Sequence, residues 1–411
     1  MVEGTRHADL EDQQRPKGAR VAEHVFVSGY GSIAPVDETV PIDAGARRLD
    51  AYDAGAVAEL RELARPLQAK RLLFVTAAPF APTVVDELRG VVPVLNALGI
   101  DARWRALTGA VDGARAAGDA LRGGEPASDD SEAIAQWRAQ RVEHDADVVI
   151  ACGAEALPAL QGPARTLLRV HGRLGDGPGR DLASGATVVA EDAAFVAGDA
   201  VAVVPPGVDP QSPRHLELPL RNIGQLARSA GLDLGRPLVA AVLDLGADAL
   251  PEDVVDVFEA ACSHGPADLQ LALCARVAHG DERAWHAIGE LTDYAAGIVG
   301  VHLITDLAGH GDGVVNAVQR LARAAIAVDQ GWGLPVAEAL LKGTPVVAPP
   351  LPAASALLDQ GIAGAAERGR RLHALVDDPG LAAHEGRAGA AKVRDGFLVT
   401  RVVRDLLGLL G

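Results

Sequence analysis

The residues best spaced for chemistry lie in one run, Gly331-Trp332-Gly333-Leu334-Pro335-Val336-Ala337-Glu338-Ala339-Leu340-Leu341-Lys342-Gly343. Two glycines flank an aromatic residue and precede a short apolar segment. Pro335 suits the first turn of a helix, where its missing N–H costs nothing, and Gly343 suits the position just past the end. A helix that starts here presents free N–H groups and a partial positive charge over a Gly-rich turn, which is an anion site suited to phosphate. Glu338 falls in the first turn, where an acceptor-only carboxylate can hold the hydroxyls of a sugar or ribose. Arg169 and His171 close a separate strand-like run, at the end of a strand where functional residues of doubly wound sheets collect. The same two residues also suit a buried hydrogen-bonded pair.

The elements that must position these groups alternate between strand-like and helix-like patterns, which predicts a parallel-sheet α/β architecture. Strand-like runs fall at Arg71–Thr76, Ile100–Leu107, Asp147–Cys152, Thr166–Val170, Ala186–Val189 and Val201–Val204. Pro205-Pro206-Gly207 breaks the series, and a linker runs to about His215. A second series follows at Leu238–Leu243, Leu269–Leu273, Ile298–Ile304 and Pro345–Ala348. The pattern predicts a polar tail over 1–20, one lobe over 21–213, a second over 214–395 and a terminal helix over 396–411. Gly-rich runs at 175–179 and 309–313 read as flexible loops.

The run around Gly331 resembles the donor-site signature of the family-four retaining glycosyltransferases, whose fold is GT-B. Their pattern is Glu, seven residues, Glu, written around Gly-aromatic-Gly-Leu. Glu338 matches the second Glu, and the first falls on Gln330. Within that family the chain is most similar to trehalose synthases. Arg169-Val170-His171 matches their Arg-x-His element, and Pro206-Gly207-Val208-Asp209-Pro210 their linker. Asn316-Ala317-Val318-Gln319-Arg320 matches one helix, and Phe397-Leu398-Val399-Thr400-Arg401 another. The resemblance implies two Rossmann-like lobes facing a cleft, with the last helix crossing back to the first lobe. It implies that Gly331, Trp332, Gly333 and Leu334 face the donor phosphate and that Glu338 holds the ribose. Asn316 and Gln319 would support the donor site, Gln330 would contact the transferred sugar, and Arg169 and His171 would line the reacting face.

The chain departs from that pattern at four places. The family's phosphate-binding Arg and Lys fall on Val242 and Ala247, while Asp244 and Asp248 keep the frame. Its Gly-Gly-Gly-Val-Ala-Glu turn reads Ala81-Pro82-Thr83-Val84-Val85-Asp86, and its sugar-contacting His falls on Cys152. Gln330 cannot ionise but still hydrogen-bonds hydroxyls. Preorganised cations stabilise a diphosphate leaving group, so the missing pair predicts weak binding of ordinary nucleotide sugars. Two functional readings stand at this point. One is a retaining transferase that moves a sugar or sugar-like group from an activated donor, a nucleotide sugar or sugar phosphate, to a small hydroxylated acceptor. The other is a catalytically silent homologue that binds sugar or nucleotide or supports an active partner.

Composition narrows the rest. The 411 residues carry 55 acidic against 38 basic side chains, a net charge of −17. That balance argues against nucleic-acid or anionic-membrane partners. Cys152, Cys262 and Cys274 are scattered, which suggests a reducing, cytoplasmic setting with no disulfide frame. No metal-ligand spacing is visible and no cofactor is expected. A homodimer or a partner glycosyltransferase is compatible with the sequence.

Overall fold

The computed structural model describes residues 36–39, 48–77, 82–108, 111–121, 130–139, 144–153, 155–156, 164–171, 186–191, 196, 201–245, 251–265, 268–277, 282–328, 333–351, 356–359 and 361–411. The chain runs β1 (Val36–Thr39), α1 (Ala54–Ala64), β2 (Arg71–Ala77), α2 (Pro82–Ala97), β3 (Asp101–Thr108), α3 (Val111–Leu121), α4 (Asp130–Ala139), β4 (Val148–Cys152), β5 (Arg165–Val170), β6 (Thr187–Ala190) and β7 (Val201–Val203). Among the described residues these strands form one sheet in the order β1-β3-β2-β4-β5-β6-β7. All neighbours are parallel except β1, which runs antiparallel to β3. Strand alternation sorts β2 onto two cores. Leu72 and Phe74 pack with Val57, Leu60 and Leu88 of α1 and α2. Leu73 and Val75 pack with Ala114, Ala117 and Trp137 of α3 and α4.

After the linker come α5 (Leu220–Ser229), β8 (Leu238–Leu245), α6 (Pro251–Cys262), β9 (Gln270–Val277), α7 (Glu282–Ala295), β10 (Val301–Thr305), α8 (Asp312–Leu321), β11 (Ala324–Ile326), α9 (Leu334–Leu341), β12 (Val346–Val347), α10 (Ala365–Asp377), α11 (Pro379–Gly396) and α12 (Val399–Leu410). The second sheet has the order β10-β9-β8-β11-β12 and is parallel throughout. Strand order reverses between β8 and β11, so the crevice at their carboxyl ends is the place where doubly wound sheets bind ligands.

The architecture is the two-lobe α/β fold expected. β1 and β11 carry no clear signal in the sequence, because they hold only four and three residues and a run that short has no measurable period. The strand expected over Thr344–Ala348 is only two residues long. Helix α12 leaves the second lobe and buries Val402, Val403, Leu406 and Leu407 against the first-lobe core. At that crossing the chain's two passages between lobes pair with each other. Val208 N–H donates to the Phe397 carbonyl and Val399 N–H to the Val208 carbonyl, both at 2.9 Å. The tail expected over 1–20 lies outside the described residues.

Candidate functional site

Helix α9 starts as its sequence dictates. Gly333 sits at the N-cap with φ +78°, a left-handed conformation that only glycine adopts freely, and Pro335 occupies the first turn. Among the described residues no side chain caps this end, and uncapped amides at a helix start suit an anion. The turn itself is only partly in view. Gln330, Gly331 and Trp332 lie outside the described residues, and so do Ala247 and Asp248. Leu334 packs its side chain in the apolar core with Val336 and Leu351, so only its backbone faces the turn.

Glu338 requires a correction. It stands one turn into α9, beyond the first turn, and is 1% exposed. Its Oε1 lies 2.9 Å from Arg214 Nε and 3.4 Å from His215 Nε2, while Oε2 has no hydrogen-bond partner. Burial opposes its ionisation, but Arg214 and His215 prevail and hold the carboxyl well below the usual range. Arg214 comes from the linker and also meets Asp312, the first residue of α8, at 3.0 Å. Burial disfavours its charge, and Glu338, Asp86 and Asp312 more than offset that. Glu338 is therefore a fixed anion that holds the linker against the donor-side helix.

The same charges reach across to the first lobe. Arg276, near the end of β9, pairs with Asp244 at 2.5 Å and makes a close contact with Asp86 of α2. Asp244 also accepts from the Thr83 backbone N–H at 3.1 Å and from the Thr83 hydroxyl. Asp86 lies 3.8 Å from Arg214. Where the resemblance placed a glycine turn, the start of α2 instead ties the lobes through Thr83 and Asp86. Burial and Arg214 oppose charge on Arg276, and Asp244, Asp86 and Glu338 outweigh them. Neither Arg214 nor Arg276 stands out in the sequence. The one available signal was the absence of a cation at Val242 beside carboxylates that still need one.

Asn316 and Gln319 are buried on α8 and hydrogen-bonded within the protein. Asn316 donates to the Pro213 and Leu216 carbonyls at 3.1 and 2.9 Å and accepts from Arg320 at 2.8 Å. It clamps the linker, and both of its amide N–H donors are used there. Gln319 accepts from Lys342 Nζ through its side chain and from the Thr344 hydroxyl through its carbonyl. Burial lowers the Lys342 pKa to about 7.

Arg169 takes the buried of the two roles that the sequence leaves open. It is 3% exposed and donates to Glu87 at 2.8 Å and to the Ala190 and Val204 carbonyls. It is spent inside the first lobe and has no face toward a substrate. His171 is partly open, with Nδ1 2.8 Å from Glu191 and 3.6 Å from Glu87. Glu87, His171 and Glu191 bring three possible metal-ligand atoms within 4.8 Å of one another, a grouping that linear spacing hides. The Arg169 guanidinium already neutralises Glu87 there. Cys152 is buried, and burial pushes its thiol upward, which removes it as a nucleophile.

No family model matches the chain. It is 28% identical to a trehalose synthase of Rubrobacter xylanophilus over 390 residues, covering 85% of this chain and 92% of that one. It is 23% identical to a trehalose synthase of Pyrococcus horikoshii over 416 residues, covering 91% and 98%. Among solved structures it is similar to an α,α-trehalose 6-phosphate synthase from Burkholderia multivorans, with TM-score 0.63 and 13% identity over 83% of this chain and 98% of that one. It is also similar to HepE of Anabaena, solved in complex with UDP-glucose, with TM-score 0.59 and 14% identity over 83% and 99%. The sequence relatives bear out the resemblance to trehalose synthases, and the structural neighbours bear out the GT-B fold. Among the described residues, no helix is long and apolar enough to cross a membrane.

Proposed function

We propose that this protein is a retaining glycosyltransferase that moves a sugar from a nucleotide-activated donor to a small hydroxylated acceptor. The observation that carries the reading is the open N-terminus of α9 beside the strand-order reversal, with the ionised Glu338 one turn behind it. The first part would suit an anion, and the second keeps an acceptor oxygen buried and, among the described residues, without a hydrogen bond. A donor diphosphate would lie over the Gly333 turn. A ribose hydroxyl would reach Glu338, and the transferred sugar would face Gln330 and His171. Arg169 acts only through Glu87, by setting the wall against which His171 rests. The long sequence match to trehalose synthases supports glucose-like donor and acceptor.

Of the four departures the resemblance implies, the one that bears on the phosphates is the fall of the family's Arg and Lys on Val242 and Ala247. We read this as a donor site whose phosphate contacts are rearranged. The test is a hydrolysis and transfer screen of nucleotide sugars and sugar phosphates, with and without simple sugar acceptors. Release of nucleoside diphosphate with retained anomeric configuration in the product is expected. If no donor is consumed under any condition, the transferase reading fails. Activation of an added glycosyltransferase would then favour a supporting partner.

A further inference from the structure

We infer that Arg276 is the cation that meets the donor's phosphates in this chain, and that Asp86 occupies it until a donor arrives. The inference rests on the transferase reading above. Its first support is position. Parallel register pairs Val242 with Cys274 and Asp244 with Arg276. Strand alternation then puts all four on one face of the sheet, the face on which Val242 and Cys274 pack with Val314, Val315 and Val318 of α8. Arg276 is therefore one step further along that face than Val242, on the adjacent strand and toward the carboxyl ends where ligands bind. A long side chain there reaches the space that an arginine at position 242 would serve.

The second support is what Arg276 touches. It belongs to the second lobe, yet one of its partners is Asp86 of the first. A guanidinium fork accepts a carboxylate and a phosphate in the same planar geometry. The other cations of this cluster are committed elsewhere: Arg214 to Glu338 and Asp312, and Lys342 to Gln319. Exchange of Asp86 for a phosphate replaces one anion by another on a guanidinium that is already desolvated, so the cost of burying the cation does not arise again. The exchange would also release α2 from β9, which links donor binding to relative movement of the lobes.

The experiment is calorimetric titration of the full-length protein with UDP, ADP and GDP, with inorganic pyrophosphate and uridine as probes of the two halves of a nucleotide. Arg276→Gln is expected to weaken the preferred diphosphate and pyrophosphate by about tenfold or more and to leave uridine unchanged. Arg276→Lys should recover part of the loss. Asp86→Asn, which removes the competitor, should tighten the diphosphate several-fold. Because Arg276→Gln leaves two carboxylates facing each other, the double variant Arg276→Gln, Asp86→Asn serves as the folded control, verified by thermal melting, and should bind as weakly as the single one. If Arg276→Gln and the double variant bind diphosphate as the parent does, the inference falls and the transferase reading stands. If neither the parent nor Asp86→Asn binds any diphosphate or pyrophosphate, both fall.

Discussion

This molecule holds two clusters of buried charge, and they are built differently. Arg169, Glu87, His171 and Glu191 all belong to the first lobe, and backbone carbonyls complete the arginine's contacts. The other cluster takes Asp86 and Thr83 from the first lobe, Arg214 and His215 from the linker, and Asp244, Arg276, Asp312 and Glu338 from the second. A cluster closed within one lobe can only be lost by unfolding part of that lobe. A cluster shared between lobes can exchange partners when the lobes move. Buried charge is therefore no guide to function by itself; what matters is whether its partners can separate without exposing a core.

The sharpest way to break this contrast is Arg169→Met. It leaves Glu87 buried without its cation and two carbonyls without a donor, so a loss of about 3–5 kcal/mol is expected by urea unfolding. A loss below 1 kcal/mol would mean that the first-lobe cluster is as exchangeable as the second.

Glu338→Gln should cost less, about 1.5–3 kcal/mol, because Arg214 keeps Asp312. The parent's acid stability tests the same pair. A carboxyl whose folded pKa is depressed binds its proton more readily in the unfolded chain. Its contribution is therefore complete above the unfolded value near 4.3 and is lost as pH falls toward the folded one. Denaturant midpoints measured from pH 6 down to 3 should fall less steeply in Glu338→Gln. Parallel curves would remove Glu338 from the account. A truncation to alanine is expected to destabilise for the same reason.

Lys342 gives a smaller effect of the same sign in a higher pH window. Its folded pKa is lowered to about 7, so the unfolded chain holds more protons between that value and about 10.4, and stability should rise with pH across this window. Partial exposure reduces the gain to roughly 1 kcal/mol. Thermal melts from pH 7 to 9.5 should show the rise in the parent and not in Lys342→Met.

Thr83→Val is the mildest test. It removes the hydroxyl contact to Asp244 and keeps the backbone one. A cost of about 0.5–1 kcal/mol is expected, with a larger radius of gyration in solution if the tie holds the lobes together. An unchanged radius would show that the remaining charges suffice.

Much of the frame was legible because its causes are local. Apolar runs of strand length marked most of the strands, and Pro205-Pro206-Gly207 marked the linker. Gly333, Pro335 and Gly343 marked the ends of α9, since each serves a backbone conformation or a missing N–H that only that residue type suits. The resemblance at Phe397–Arg401 placed α12 and its return to the first lobe. The candidate site was less legible. Glu338 was identified as an important carboxylate, but its partner Arg214 was not. Asn316 and Gln319 matched a motif, yet their amides hold the linker and Lys342. Arg169 left two roles open, and its neighbours decided for the buried one.

The sequence by itself determined most of the strands and helices, where the chain divides, and that a helix N-terminus suited to an anion opens at Gly333. Only the tertiary structure decided which charges meet. Asp86 and Arg276 are 190 residues apart and Thr83 and Asp244 are 161 apart, and no local preference of either residue records the other. Periodicity and turn chemistry act over a few residues and can be read along the chain. An ion pair acts through space, and its partners are known only once two sheets, a linker and a returning helix have brought them within a few ångströms.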